Sequence, residues 1–250
     1  MLMPFLVVCP LVGLAGFVDA IAGGGGLISL PAYLMAGLPP HMCLGTNKLS
    51  SCMGTALATV RFALRGFIDW RGALPCVACA LVGSALGAQS ALLISDEVLR
   101  WVMLAVVPLT ALYVLRPKSL RPPEDPRHAR QAVGICALIS VCIGFYDGIY
   151  GPGTGTFLML GFMTVAKLGL NESAGITKAV NLTTNIAALT VFLLNGQVWL
   201  LLGLTAGLFN MLGAWLGVTL FTGKGIKVVK PIILVVLVVF FVKMLVELLA

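Results

Sequence analysis

Apolar residues in this chain run in blocks close to the length of a bilayer crossing. The blocks lie at roughly 3–22, 26–37, 44–64, 72–94 and 100–115, and again at about 131–150, 155–168, 175–195, 199–221 and 231–249. A crossing helix needs about 20 apolar residues at 1.5 Å each, so most blocks predict transmembrane helices. Blocks 26–37 and 155–168 are short, and each follows a glycine-rich break. They predict tilted half-helices or the return arms of re-entrant hairpins. The expected fold is an all-α polytopic membrane protein of two repeats. Each repeat has about four full helices plus a short Gly-broken segment.

The repeats are visible in the sequence. Gly16-Phe17-Val18-Asp19-Ala20-Ile21-Ala22-Gly23 returns 128 residues later as Gly144-Phe145-Tyr146-Asp147-Gly148-Ile149-Tyr150-Gly151. Gly45-Thr46-Asn47-Lys48 returns 130 residues later as Gly175-Ile176-Thr177-Lys178. The same offset carries Gly83 and Gly87 onto Gly213 and Gly217, and Arg100 onto Lys230. Residues 1–115 form the first repeat and 131–250 the second. The linker between them, 116–130, holds four prolines and five Lys+Arg residues, too polar for lipid and too proline-rich for a helix.

Charge sets the orientation. Arg61, Arg65 and Arg71 surround the 65–71 loop, whereas the 95–99 loop is acidic through Asp96 and Glu97. In the second half the 196–198 loop is neutral and the 223–230 loop carries Lys224, Lys227 and Lys230. Corresponding loops therefore have opposite bias. With positive loops and the linker in the cytoplasm, the halves are inserted upside down relative to each other, with an odd number of crossings in each.

Composition narrows the class further. Hydrophobic residues make up 60% and charged residues 10% of 250, against roughly a quarter charged in soluble domains, so no segment can form a soluble domain. The net charge of +7 sits mainly at the ends of apolar blocks and reads as membrane orientation rather than nucleic-acid binding. No basic residue precedes Lys48, so the first block is expected to stay in the mature protein rather than leave as a signal peptide. The seven cysteines read mostly as buried small hydrophobes. Cys76 and Cys79 form a CxxC pair with no second pair or His cluster beside it, so no metal is expected. His41 is expected in a loop and His128 in the linker, so no catalytic residue and no cofactor are implied. The absence of an ATPase motif excludes ATP hydrolysis.

Short or Gly/Pro-interrupted segments at matching places in two halves point to a transporter's binding site. Gly23-Gly24-Gly25-Gly26 and Gly151-Pro152-Gly153-Thr154-Gly155 are such breaks. Amides freed at Gly24, Gly25, Gly26, Gly153 and Thr154 suit an anion; close packing or a tight turn is the alternative. Lys48 and Lys178 follow polar turns after Gly45 and Gly175 and open the next span. They are candidate anion ligands, or else snorkelling lysines or partners of an aspartate. Asp19 and Asp147, one per half, are candidates for ion coupling or for capping the half-helices. Asn47, Asn181 and Asn185, with Thr46, Ser50, Ser51, Thr177 and Thr184, supply further polar atoms or interhelical hydrogen bonds. The Gly83/Gly87 and Gly213/Gly217 ridges suit close helix packing and permit a homodimer.

Residues Gly16 to Ile28, then Gly37-Leu38-Pro39-Pro40 and Gly45-Thr46-Asn47-Lys48, resemble the sulfite exporter TauE/SafE family, and the second half resembles its degenerate repeat. The resemblance covers nearly the whole chain. It implies a carrier of the bacterial cytoplasmic (inner) membrane that moves small sulfur-containing anions such as sulfite or organosulfonates outward, driven by an ion gradient. The second repeat departs from the first where Asn47 becomes Thr177 and Gly24 becomes Pro152, so the half-sites are not expected to contact substrate equivalently. A passive anion channel and a carrier of another small anion are the alternatives. An intramembrane aspartyl protease is more remote, because repeat symmetry already accounts for both aspartates and a GxGD setting is missing.

Overall fold

The structure, a computed structural model, describes residues 2–114 and 125–221. The expected block at 231–249, the 223–230 loop and linker residues 116–124 lie outside the described residues. The described chain is helical: α1 (Met3–Ala22), α2 (Gly26–Met35), α3 (Pro40–Leu64), α4 (Trp70–Leu92), α5 (Asp96–Val114), α6 (Val133–Ile149), α7 (Thr154–Leu160), α8 (Leu170–Leu194) and α9 (Leu200–Thr219). Among them α1, α4, α8 and α9 are long and apolar enough to cross a membrane. A π-helical turn, Gly161–Val165, extends α7.

Two helices begin earlier than their apolar blocks. α3 starts at Pro40, whose missing N–H and fixed φ suit a first helical position, and α8 starts at Leu170. Gly45 and Gly175 are therefore inside helices and not in polar turns. Lys48 and Lys178 stand about two turns in, instead of opening their spans. His41 occupies the first turn of α3 rather than a loop, with Nδ1 2.6 Å from Asp96 Oδ1.

The contacts fix helix directions. α9 runs parallel to α1, with Phe209 on Gly13, Asn210 on Gly16, and Gly217 against Phe17 and Ala20. It also runs parallel to α3. Gly203 meets Leu49, Gly207 meets Met53, and Arg61 and Arg65 donate to the carbonyls of Trp215 (2.7 Å) and Val218 (2.8 Å). α4 runs parallel to α6, with Ala80 on Gly144, Ser84 on Gly148, and Gly87 on Ile149. α8 runs against α3, because Gly45 meets Gln197 while Thr59 bonds the Lys178 carbonyl. It runs with α4, since the two start on either side of Ala129 and Ser84 bonds the Thr184 carbonyl at 2.7 Å. Helices α1, α3 and α9 thus point one way, and α4, α6 and α8 the other. Since α1 and α3 agree in direction, the short α2 between them runs the chain back, and α7 stands in the same relation to α6 and α8.

Close packing at glycine recurs in pairs related by the sequence repeat. Gly83 sits on the Val141 carbonyl and Gly213 on that of Gly13; Gly87 sits on the Phe145 carbonyl and Gly217 on that of Phe17. Gly45 lies against the Gln197 carbonyl and Gly175 against that of Phe67. A side chain on these ridges would strike backbone, which cannot swing aside. Gly83→Val or Gly213→Val is therefore expected to cost at least the 1–3 kcal/mol typical of overpacking. The check is the yield of monodisperse protein in detergent, which should fall sharply for both variants. Outward-facing leucines such as Leu64, Leu138, Leu194 and Leu212 are exposed, as lipid-facing positions require.

Outside the spans, Asp69 caps α4 and accepts two hydrogen bonds from Arg130, at 2.7 and 2.9 Å. Those bonds hold its carboxyl below the usual carboxylate value. The stability they add is present above the unfolded-state pKa of about 3.9 and is lost as pH falls through the lower folded value. The pair is partly exposed, so the effect is small. Asp69→Asn should melt slightly below wild type at neutral pH, and the gap should close in melts taken under strong acid.

Candidate functional site

Both helix breaks are buried in the bundle, and they touch. α1 ends at Gly23 in the left-handed region (φ 74°), and α6 gives way to Gly151 (φ 95°) and Gly153 (φ 79°). Across the break Thr156 donates its N–H to the Gly23 carbonyl (3.3 Å) and its hydroxyl to that of Ala22 (2.6 Å). Gly26 lies against Pro152. Several first-turn amides are used locally: those of Leu27, Ile28 and Thr154 donate to the carbonyls of Gly24, Gly25 and Gly151. That leaves less of the break open to an anion than the glycine count alone implies.

The charged residues pair across the halves. Lys48 on α3 donates to Asp147 Oδ2 on α6 at 2.6 Å, and both side chains are 3% exposed. The Thr154 hydroxyl donates to the other oxygen of Asp147 at 2.7 Å. Lys178 on α8 donates to Asp19 Oδ2 at 2.9 Å and to the Asp19 carbonyl at 2.5 Å. Each lysine is thus held by the aspartate of the other repeat. An unpaired charge at this depth would be costly, and the reciprocal exchange neutralises all four groups. Gly151 carries a positive φ and leaves no room for a Cβ beside Asp147 Oδ1 and Lys48 Nζ, so glycine there serves backbone and ion pair together. The aspartates, expected as couplers or caps, take lysine partners instead of half-helix amides.

A polar cavity of about 30 Å³ lies between the pairs, bordered by Asp19, Asp147, Lys48, Asn47, Asn181 and Asn185. It has room for only a few waters. Gly25, Gly26, Thr154 and Gly155 also border it, whereas Gly24 and Gly153 do not. On α3, Asn47, Ser51 and Thr55 face it at four-residue spacing, matched on α8 by Asn181 and Asn185, the repeat counterparts of Ser51 and Thr55. Lys178 faces a smaller adjoining space with Asp19 and Thr177. Thr46 and Ser50 are used for packing, Thr46 accepting from the Trp199 amide and Ser50 from the Tyr33 hydroxyl. The sequence reading missed Ser29, Thr55 and Asn210. Asn210 is a lone amide in apolar α9, wedged between Gly16 and Gly54, and its isolation was the available signal. Among the described residues no group of His, Cys, Asp and Glu could hold a metal ion.

These features define a multi-pass membrane protein whose halves contribute crossed Lys–Asp pairs to one polar centre. The chain belongs to the sulfite exporter TauE/SafE family, whose model matches residues 8–244. It is 40% identical over 237 residues to a probable membrane transporter protein of Sinorhizobium sp, covering 94% of this chain and 89% of that one. It is 36% identical over 223 residues to the probable membrane transporter protein YfcA of Escherichia coli, covering 89% and 82%. A probable membrane transporter protein of Haemophilus influenzae is 35% identical over 221 residues, covering 88% and 86%. No solved structure matches the chain. With its apolar spans and bacterial relatives, this is a multi-pass transporter of the bacterial inner membrane.

Proposed function

We propose that this transporter carries a small sulfur-containing anion, of the sulfite or organosulfonate class, outward across the inner membrane by alternating access with ion-gradient coupling. The carrying observation is the reciprocal pairing of Lys48 with Asp147 and of Lys178 with Asp19 beside a cavity lined by asparagines. Two ammonium groups and several amides offer an oxyanion charge and directional donors. The family description supports the sulfur chemistry. Opposite helix directions in corresponding elements support inverted-topology repeats, one rocking against the other about the touching breaks. The cavity is small for a sulfur oxyanion, so substrate entry requires a Lys–Asp pair to part. Substrate contacts are then expected from Lys178, Asn47, Asn181 and Asn185, with the amides of the glycine breaks.

Uptake and efflux of labelled sulfite and a short sulfonate in liposomes test this. A carrier shows saturable flux that responds to an imposed ion gradient and discriminates against cations of similar size. Linear, gradient-independent flux would make the protein a passive channel, and no flux of either compound would remove the sulfur assignment.

A further inference from the structure

The two ion pairs occupy equivalent places in the repeat, yet they are built unequally. Asp147 is closed off: Lys48 binds one carboxylate oxygen, the Thr154 hydroxyl binds the other, and 3% of the side chain is exposed. Asp19 is open. Among the described residues its carboxylate accepts only from Lys178, at 2.9 Å, and 19% of the side chain is exposed. The cause lies in the sequence, because Gly26 stands in the first half where Thr154 stands in the second. Asp19 also borders both the central cavity and the smaller space beside Lys178. In that space Thr177, the counterpart of Asn47, holds a buried hydroxyl with no hydrogen-bond partner. A buried hydroxyl left unmatched is costly unless another group completes it.

We propose that the half-sites divide the work: Asp19 is the proton-coupling carboxylate, Lys178 and Thr177 receive the anion, and Lys48–Asp147–Thr154 is a fixed lock. This rests on the carrier reading and assigns its parts. A proton from water adds to the Asp19 carboxylate and leaves a neutral acid. Lys178 keeps its ammonium charge, loses its counter-ion, and takes the anion in place of Asp19, with the Thr177 hydroxyl donating alongside. Among the described residues, the charged groups that share a cavity with Asp19 are Lys178 on α8, Lys48 on α3 and Asp147 on α6. The last two already satisfy each other, which leaves Asp19 as the carboxylate open to receive the proton. Anion and proton bind the same state and travel together. A doubly charged anion moving with one proton carries one net negative charge, which an inside-negative potential drives outward.

Infrared titration of the purified protein, without substrate, reads the protonated-carboxyl band as pH falls. Beyond the band of the exposed carboxyls, a component should appear in wild type that is absent in Asp19→Asn, retained in Asp147→Asn and shifted in Asp19→Glu. Should Asp19→Asn not fold, the Asp19→Glu shift alone identifies the residue. In liposomes, anion flux through Asp19→Asn should lose its dependence on pH, a change of about tenfold per unit flattening to none for a one-proton step. Thr177→Val should weaken sulfite binding, and Thr154→Val should bring a second carboxyl into the titration. A band that vanishes in Asp147→Asn and persists in Asp19→Asn overturns the proposal, as does pH-dependent flux surviving in Asp19→Asn. A band assigned to Asp19 in a protein that moves no anion refutes the carrier reading and leaves the proton site standing.

Discussion

Lys48→Ala protein is expected to be less stable by about 3–5 kcal/mol, the range for removing one partner of a buried ion pair. Lys48 and Asp147 are each 3% exposed, so truncating the lysine strands a carboxylate away from bulk water. The Thr154 hydroxyl alone cannot balance a full charge. Replacing both partners with apolar groups removes the stranded charge, and such exchanges are often neutral or stabilising. Lys48→Met/Asp147→Leu should therefore recover most of the loss. Thr154 stays satisfied in the double variant because its hydroxyl also reaches the Gly151 carbonyl at 2.7 Å. Thermal melts in detergent check both outcomes. A single variant as stable as wild type would mean that Asp147 is protonated and the pair is not ionic.

The second large effect falls on transport. Lys178→Ala should fold better than Lys48→Ala, because the carboxylate it leaves behind, Asp19, is 19% exposed and can take water. Its anion affinity should nevertheless drop about 10- to 100-fold, the equivalent of a hydrogen bond to a charged group at 1.5–3 kcal/mol. The signature is a raised half-saturation concentration for sulfite flux in liposomes, in a protein whose melting temperature moves little. The reverse pattern, with stability lost and half-saturation unchanged, would make Lys178 a structural counter-ion only.

The sequence announced the helical membrane class and the repeat plainly, because 20-residue apolar runs and duplicated glycine motifs are local signals. Helix starts were less legible. The first turns of α3 and α8 hold Pro40, His41, Asn171 and Glu172, polar or helix-breaking types that hide a helix from a hydropathy reading, so Gly45 and Gly175 looked like turns. The glycines of α4 and α9 read correctly as packing positions, since their ridges recur at i and i+4. The candidate site was legible in kind but not in arrangement. Asp19, Asp147, Lys48 and Lys178 stand out as charges in apolar surroundings. Which lysine meets which aspartate depends on the crossing of the halves, a relation over 99 and 159 residues of sequence that no local pattern records. Asn210 was legible as a single amide on an otherwise apolar helix and was passed over.

The most direct measurement is equilibrium binding of labelled sulfite to purified protein, with a short sulfonate as competitor. Crossed half-sites that share one polar centre predict a single saturable anion per chain, displaced by the sulfonate and weakened at least tenfold in Lys178→Ala whose circular dichroism matches wild type. Binding that is undiminished in that folded variant, or that the sulfonate fails to displace, would contradict an anion site built on the crossed pairs.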